Sequence, residues 1–438
     1  MKKNNPKTIK AWAMYDWANS VYSLVITSAI FPVFYSEIMT DKAGNSISVL
    51  GLKPESAINL SLAISFGIVI FLSPILSSIA DTIGNKMKFL KIFCYTGAIS
   101  CIMLFFFFNE NWVILGLFFN ISASVGFWGS LVFYNSYLPD IASDENMDKV
   151  SAKGFITGYI GSVILLTTCL ALIMFLPKML ASNTNEVGKI TNLITRVCFL
   201  LTGIWWVGFA QITFKTLPSF AIKKKIPNKI VKNSFQELQK VMKQVFAIPN
   251  LKIFLGSFFF YSFGMQTIFL MAAVFGEKEI GLPTEKLILT ILLIQIEAIL
   301  GAWIFSKLSN KIGNRNTILV GIFVWIIVCY LGYIIQKQEW LFYTIAALVG
   351  LVMGGIQALS RSTYGKLLPK TQDNTIFFSF YDIFEKLALF CGLITFFMFT
   401  QFGEGMKQAV LAMGFSFLIS FIIMLFLKKK QLISNNEI

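Results

Sequence analysis

The sequence predicts an all-α integral membrane protein of twelve transmembrane helices, arranged as two six-helix bundles. Three observations predict it. Of the 438 residues 56% are hydrophobic and 13% are charged, about half the ~25% charged share of a soluble domain. A soluble chain of this composition would expose apolar patches it has no means to cover. Second, twelve apolar stretches, each near the ~20 residues a helix needs to cross hydrocarbon, are broken once by a long basic segment. Third, the two halves echo each other. Ser77-Ser78-Ile79-Ala80-Asp81-Thr82-Ile83-Gly84-Asn85-Lys86 returns 229 residues later as Ser306-Lys307-Leu308-Ser309-Asn310-Lys311-Ile312-Gly313-Asn314-Arg315. Tyr134…Leu138-Pro139 returns 230 residues later as Tyr364…Leu368-Pro369. Two matches at nearly one offset, each at a helix end, mark two parallel repeats, the build of a duplicated transporter.

The spans are placed near 12–38, 57–80, 89–108, 112–135, 153–176 and 192–214, then 252–275, 286–306, 317–336, 340–365, 375–400 and 406–427. Residues 1–214 form the first bundle, 215–251 a basic linker and 252–438 the second bundle. The Lys-rich start is followed by no A-x-A-like cleavage site, so the first span reads as a retained helix and not a signal peptide. Within the linker, Val231, Phe235, Leu238, Met242 and Val245 recur at helical spacing, while Lys232, Gln236, Gln239, Lys240 and Lys243 take the other face. That pattern predicts an amphipathic helix on the inner leaflet, ended by Pro249.

Orientation follows from Lys and Arg. With the N-terminus inside, inner segments hold 27 of the 37 basic residues and outer loops nine, Lys386 lying within a span. Both termini are therefore expected in the cytosol. The net charge of +15 belongs to the inner face, opposite anionic lipid, and needs no nucleic acid. The absence of a targeting segment fits a bacterial plasma membrane. A monomer is expected.

The chain has no histidine, which removes a histidine proton relay, a His-containing metal site and a His-activated nucleophile. The six cysteines show no CxxC spacing and read as small buried residues. No GxxxxGK[ST] loop is present, so ATP-driven transport has no support. No catalytic set, cofactor or metal is predicted. What remains are ionisable residues inside spans, costly in a bilayer and functional candidates by default: Asp16, Glu297, Asp382, Glu385 and Lys386. Asp382 and Lys386 stand at i, i+4 with the acid first, the favourable order for a pair. Glu297 is the deepest by sequence, and a lone buried carboxyl there suits proton binding. Neutral polar candidates are Asn19, Tyr22, Ser23, Asn120, Trp128, Asn135, Tyr261, Gln266, Thr267, Gln357 and Ser360. Most single polar residues on membrane helices bond a neighbouring helix, so about a third are expected to face a cavity.

Twelve spans, parallel halves and Gly-containing loops after the second and eighth spans resemble the major facilitator superfamily. Three segments narrow the likeness. Tyr15-Asp16-Trp17-Ala18-Asn19-Ser20 with Phe31-Pro32, Gly354-Gly355-Ile356-Gln357-Ala358-Leu359-Ser360-Arg361-Ser362 with Leu368-Pro369, and Phe377-Phe378-Ser379-Phe380-Tyr381-Asp382 with Lys386 resemble the Atg22-like "unknown major facilitator" family. That family includes vacuolar effluxers returning amino acids to the cytosol. The resemblance implies alternating access around a site lined by the first, fourth, seventh and tenth helices, and an amino-acid-like solute. It assigns Asp81, Gly84, Lys86, Gly313 and Arg315 to gating loops. The sequence departs from the pattern where Ser77, Thr82 and Asn85 replace a glycine and two basic residues, where Phe263 precedes Gly264, and where Ile376 precedes Phe377. Coupling through the carboxylates usual there is not implied.

The reading at this stage is a secondary active transporter of small solutes, amino acids or related metabolites, with protons or sodium as coupling candidates. The alternatives are a drug or sugar-conjugate exporter of the same fold, or a non-transporting membrane receptor or scaffold. The site expectation centres on Asp16, Asn19, Gln266, Glu297, Gln357, Arg361, Asp382 and Lys386. Asp16 is expected to meet Arg361 or Lys386 across the halves when the cytosolic side is closed.

Overall fold

The structure, a computed structural model, describes residues 2–41, 44–218, 230–369, 374–402 and 405–428. Among them twelve helices are long and apolar enough to cross a membrane. The first, α1, runs Pro6–Val21, then π-helical Tyr22–Ile30, then Phe31–Ile38. It is followed by α2 (Pro54–Ile83), α3 (Lys86–Met103), α4 (Val113–Asn135), α5 (Met147–Leu180) and α6 (Thr184–Thr216). After a linker helix, Ile230–Ala247, come α7 (Pro249–Phe275), α8 (Thr284–Ile312), α9 (Asn314–Ile334), α10 (Glu339–Leu367), α11 (Asn374–Phe402) and α12 (Met406–Leu425).

Local chemistry explains the ends that matter. α1 starts earlier than the hydrophobic run suggests. The Asn5 side chain accepts the Lys7 N–H at 3.0 Å and Pro6 occupies the first turn, where its missing donor and fixed φ cost nothing. Asp16 is therefore ten residues, about 15 Å, inside the helix, not one or two turns from its end. The π stretch precedes Pro32, whose ring crowds the carbonyl four residues back in a regular helix. The wider turn relieves that crowding, and the Ser28 hydroxyl donates to Ser23 O at 2.9 Å. Gly84 ends α2 at φ 65°, a left-handed conformation that side chains with a Cβ resist.

Two apolar cores form. One draws on residues from Trp12 to Leu217; the other runs from Val241 to Leu427 and takes in Tyr159 of α5. Large apolar side chains such as Phe71, Phe175 and Phe402 point outward, as lipid solvation permits. The halves touch where α5 packs on α8 and α10, and where α2 packs on α11. Ala152, Ala302 and Ala358 let backbones approach there.

Two expectations are corrected. The linker helix packs against α2, α7 and α11, with Val241 and Val245 buried and Met242 and Phe246 exposed. Its apolar stripe is thus partly a protein contact; the side chains of Val231 and Phe235 lie outside the described residues. Of the six free cysteines, five are buried and Cys391 is only partly so.

Candidate functional site

Polar contacts between the halves gather at mid-depth and on the face that carries the N-terminus and the linker helix. At that face, Asp148 opens α5. It accepts hydrogen bonds from Ser309 Oγ at 3.0 Å, Asn314 Nδ2 at 2.8 Å and Lys366 Nζ at 2.6 Å. The repeat-related corner reverses the roles. There the last turn of α2 supplies the acid, and Asp81 Oδ2 accepts the N–H of Ile376 at 2.9 Å, at the start of α11, where free amides and the helix dipole favour an anion. Lys86 pairs with Asp140 and donates to Ser136 O at 3.0 Å, while Asn374 Nδ2 reaches Asp140 Oδ1 at 2.9 Å.

One layer deeper lies Arg361 of α10, only 2% exposed. Its Nη1 and Nη2 approach Asp16 Oδ2 at 3.3 and 3.4 Å. Nε donates to Ser151 Oγ at 3.0 Å, Nη2 to Ser151 O at 2.8 Å and Nη1 to Asn135 Oδ1 at 3.1 Å. Tyr134 OH donates to the same Asp16 oxygen at 2.7 Å. The guanidinium carbon stands 4.2 Å from the Phe155 ring centre and 4.8 Å from that of Trp12, within cation–π range. One second-half side chain is thus held by α1, α4 and α5 of the first half. Arginine suits this place because its planar fork can satisfy several fixed acceptors at once.

The third layer is near the middle of α11. Lys386, twelve residues or about 18 Å from Asn374, donates to Asp382 Oδ1 at 2.7 Å and to Glu385 Oε2 at 3.1 Å. Its ammonium lies 3.9 Å from the centre of the Trp128 ring on α4. Gln266 Nε2 on α7 donates to Glu385 Oε1 at 2.9 Å. Tyr159 OH donates to Gln357 Oε1 across the halves at 2.7 Å. Asn19 is fully buried and its Nδ2 has no partner among the described residues.

Of the two partners expected for Asp16, the structure provides Arg361. Lys386 remains on its own helix with Asp382 and Glu385. Glu297 is only partly buried on α8, its Cβ beside Gly350 of α10. Gly313 starts α9 at φ 82°, and Arg315 donates to Met424 O and Leu425 O at the end of α12, a contact inside the second half. Sequence reasoning missed Asp148, Asp140, Ser151 and Phe155. Asp148 has Phe377 at its repeat position, so the echo that exposed the loops could not mark it.

Twelve helices in two six-helix halves, joined on one face by buried cross-half ion pairs, define a transporter of the major facilitator class. The solved major facilitator superfamily transporter FucP in its outward conformation superposes with a TM-score of 0.72 at 11% identity, covering 97% of this chain and 99% of that one. The human organic anion transporter MFSD10 does so with 0.73 at 11%, covering 97% and 100%. Within that class the chain belongs to the "Vacuole effluxer Atg22 like" family, which matches residues 4–436. The MFS-type transporter YxiO of Bacillus subtilis is 34% identical over 433 residues, covering 98% of this chain and 97% of that protein. Autophagy-related protein 22 of Coccidioides immitis is 22% identical, covering 88% and 80%. The family and the fold are those that the sequence motifs implied.

Proposed function

We propose that the protein is a secondary active transporter of small solutes, amino acids or related metabolites first among them, working by alternating access in a bacterial plasma membrane with both termini in the cytosol. The carrying observation is the Asp16–Arg361 pair. Its members come from opposite halves, are nearly buried, and close the face assigned to the cytosol by its basic residues. Opening that face must part them, and a buried pair that separates once per cycle is a natural gate. The midplane residues Asn19, Gln266, Gln357, Asp382 and Lys386 stand where two rocking bundles would enclose a solute. Asp81, Gly84, Lys86 and Gly313 shape the loops beside that gate, and Arg315 ties its loop to α12. The amino-acid reading is supported by family membership. The test is uptake of a labelled amino-acid and small-metabolite mixture into proteoliposomes, wild type against Arg361→Gln. Saturable uptake that the variant loses supports the reading. Absence of uptake across the mixture, or equal uptake by both proteins, overturns it.

A further inference from the structure

The cluster around Lys386 has a charge that does not close. Asp382 and Glu385 face one base, Lys386, on their own helix, with Tyr381 beside them. The helices packed on α11 bring no second cation to this depth. α2 has no charged residue between Asn59 and Ala80, α4 has none, α7 has only Lys252 near its start, and α12 has only Lys407 at its far end. α7 contributes Tyr261 and Gln266. The linker helix touches α11 from the face that carries the start of α1, and Arg361 of α10 is already matched by Asp16. The set therefore carries one uncompensated negative charge inside the membrane.

The hydrogen bonds locate it. The three N–H bonds of Lys386 are engaged by Asp382 Oδ1, Glu385 Oε2 and the face of Trp128. Both oxygens of Glu385 accept as well. Asp382 Oδ2, in contrast, is buried and accepts from no described residue, in a side chain only 6% exposed. An acceptor so enclosed has room for a proton and none for an amine or a hydrated ion.

We propose that Asp382 Oδ2 is the proton-binding site that couples this transporter to a proton gradient, and that Glu385, whose side chain is 18% exposed, is where the proton enters. The step is carboxylate plus proton to carboxylic acid; nothing else is made or broken. Protonated, Asp382 still accepts from Lys386 through Oδ1, and the Lys386–Glu385 pair leaves the cluster neutral. A neutral cluster can pass through a state sealed from water on both sides, whereas one bearing a net charge resists that desolvation. The inference rests on the transport reading, and moves the coupling site from Glu297, which stands on α8 outside this cluster, to α11.

The test is infrared difference spectroscopy of the purified protein in lipid nanodiscs between mildly alkaline and mildly acidic pH. A carboxylic-acid carbonyl band should appear on acidification, vanish in Asp382→Asn, persist in Glu385→Gln and move in frequency in Asp382→Glu. A band that survives in Asp382→Asn, or is lost only in Glu385→Gln, overturns the assignment, as does a wild type without a band. If Asp382→Asn does not fold, Asp382→Glu carries the test, and an unmoved band overturns the proposal. The band requires no known solute. Failure to find a transported solute while the band behaves as stated would sink the transport reading alone. Solute uptake indifferent to a pH gradient would sink the proton coupling alone.

Discussion

Arg361 and Lys386 are both buried cations on the second half, yet the structure uses them in opposite ways. Arg361 reaches out of its half and is bound by Asp16, Asn135 and Ser151 of the other, with each charge answered. Lys386 bonds two acids of its own helix and touches the first half only through the face of Trp128, with one acid left over. A complete pair across an interface suits a lock, since its cost falls due only when the halves part. An incomplete set inside one half suits a group that gains and loses charge while its half moves as a body.

The comparison breaks most sharply at Arg361. Arg361→Gln should cost about 3–5 kcal/mol of stability, because it leaves Asp16 buried without a counter-ion. Adding Asp16→Asn should recover part of that loss, as thermal unfolding in detergent would read. If the double variant is as unstable as the single one, the pair is not what joins the halves. Lys386→Gln should act differently. It should cost about 1–3 kcal/mol, since its neighbours can take up a proton in place of the lost partner, yet uptake should fall about a hundredfold or more. A variant that unfolds as readily as Arg361→Gln would erase the distinction. The smallest effect belongs to Glu297→Gln. A partly buried carboxyl outside both clusters should matter by no more than about 0.5 kcal/mol, about twofold in uptake rate. A larger drop would return the coupling role to α8.

Much of this was legible in the sequence, for reasons that are physical. Span count follows from hydropathy because the bilayer demands long apolar runs, and the two halves show in the loop echo because both loops end a helix with a glycine at positive φ. Asp16 could be named because charges within spans are rare, and Arg361 because it stands in the segment 354–362 that resembles the family. What sequence could not supply was partnership. Lys386 is one turn from Asp382 and one residue from Glu385, so local spacing did mark its neighbours. Trp128 is far off in sequence and only packing of α4 on α11 brings it near. Glu297 shows the reverse failure: depth along a helix was read from residue number, but the direction of its side chain is set by helix rotation, which the local pattern around Gln295 and Glu297 does not fix. Asp148 escaped because it sits at a helix start, where an acid is ordinary.

Gly154 gives the fold a point of mechanical sensitivity. It lies on α5 directly over the Asp16–Arg361 pair, and a methyl group there would stand 2.8 Å from Arg361 Nη2, 3.0 Å from Trp12 Cζ3 and in collision with Asp16 Oδ2. One added carbon would act as a wedge, forcing apart two groups whose charges it leaves untouched. The clearance at Gly154 is therefore as much a part of this closure as the charges beneath it, and Gly154→Ala separates the shape of the fit from its electrostatics.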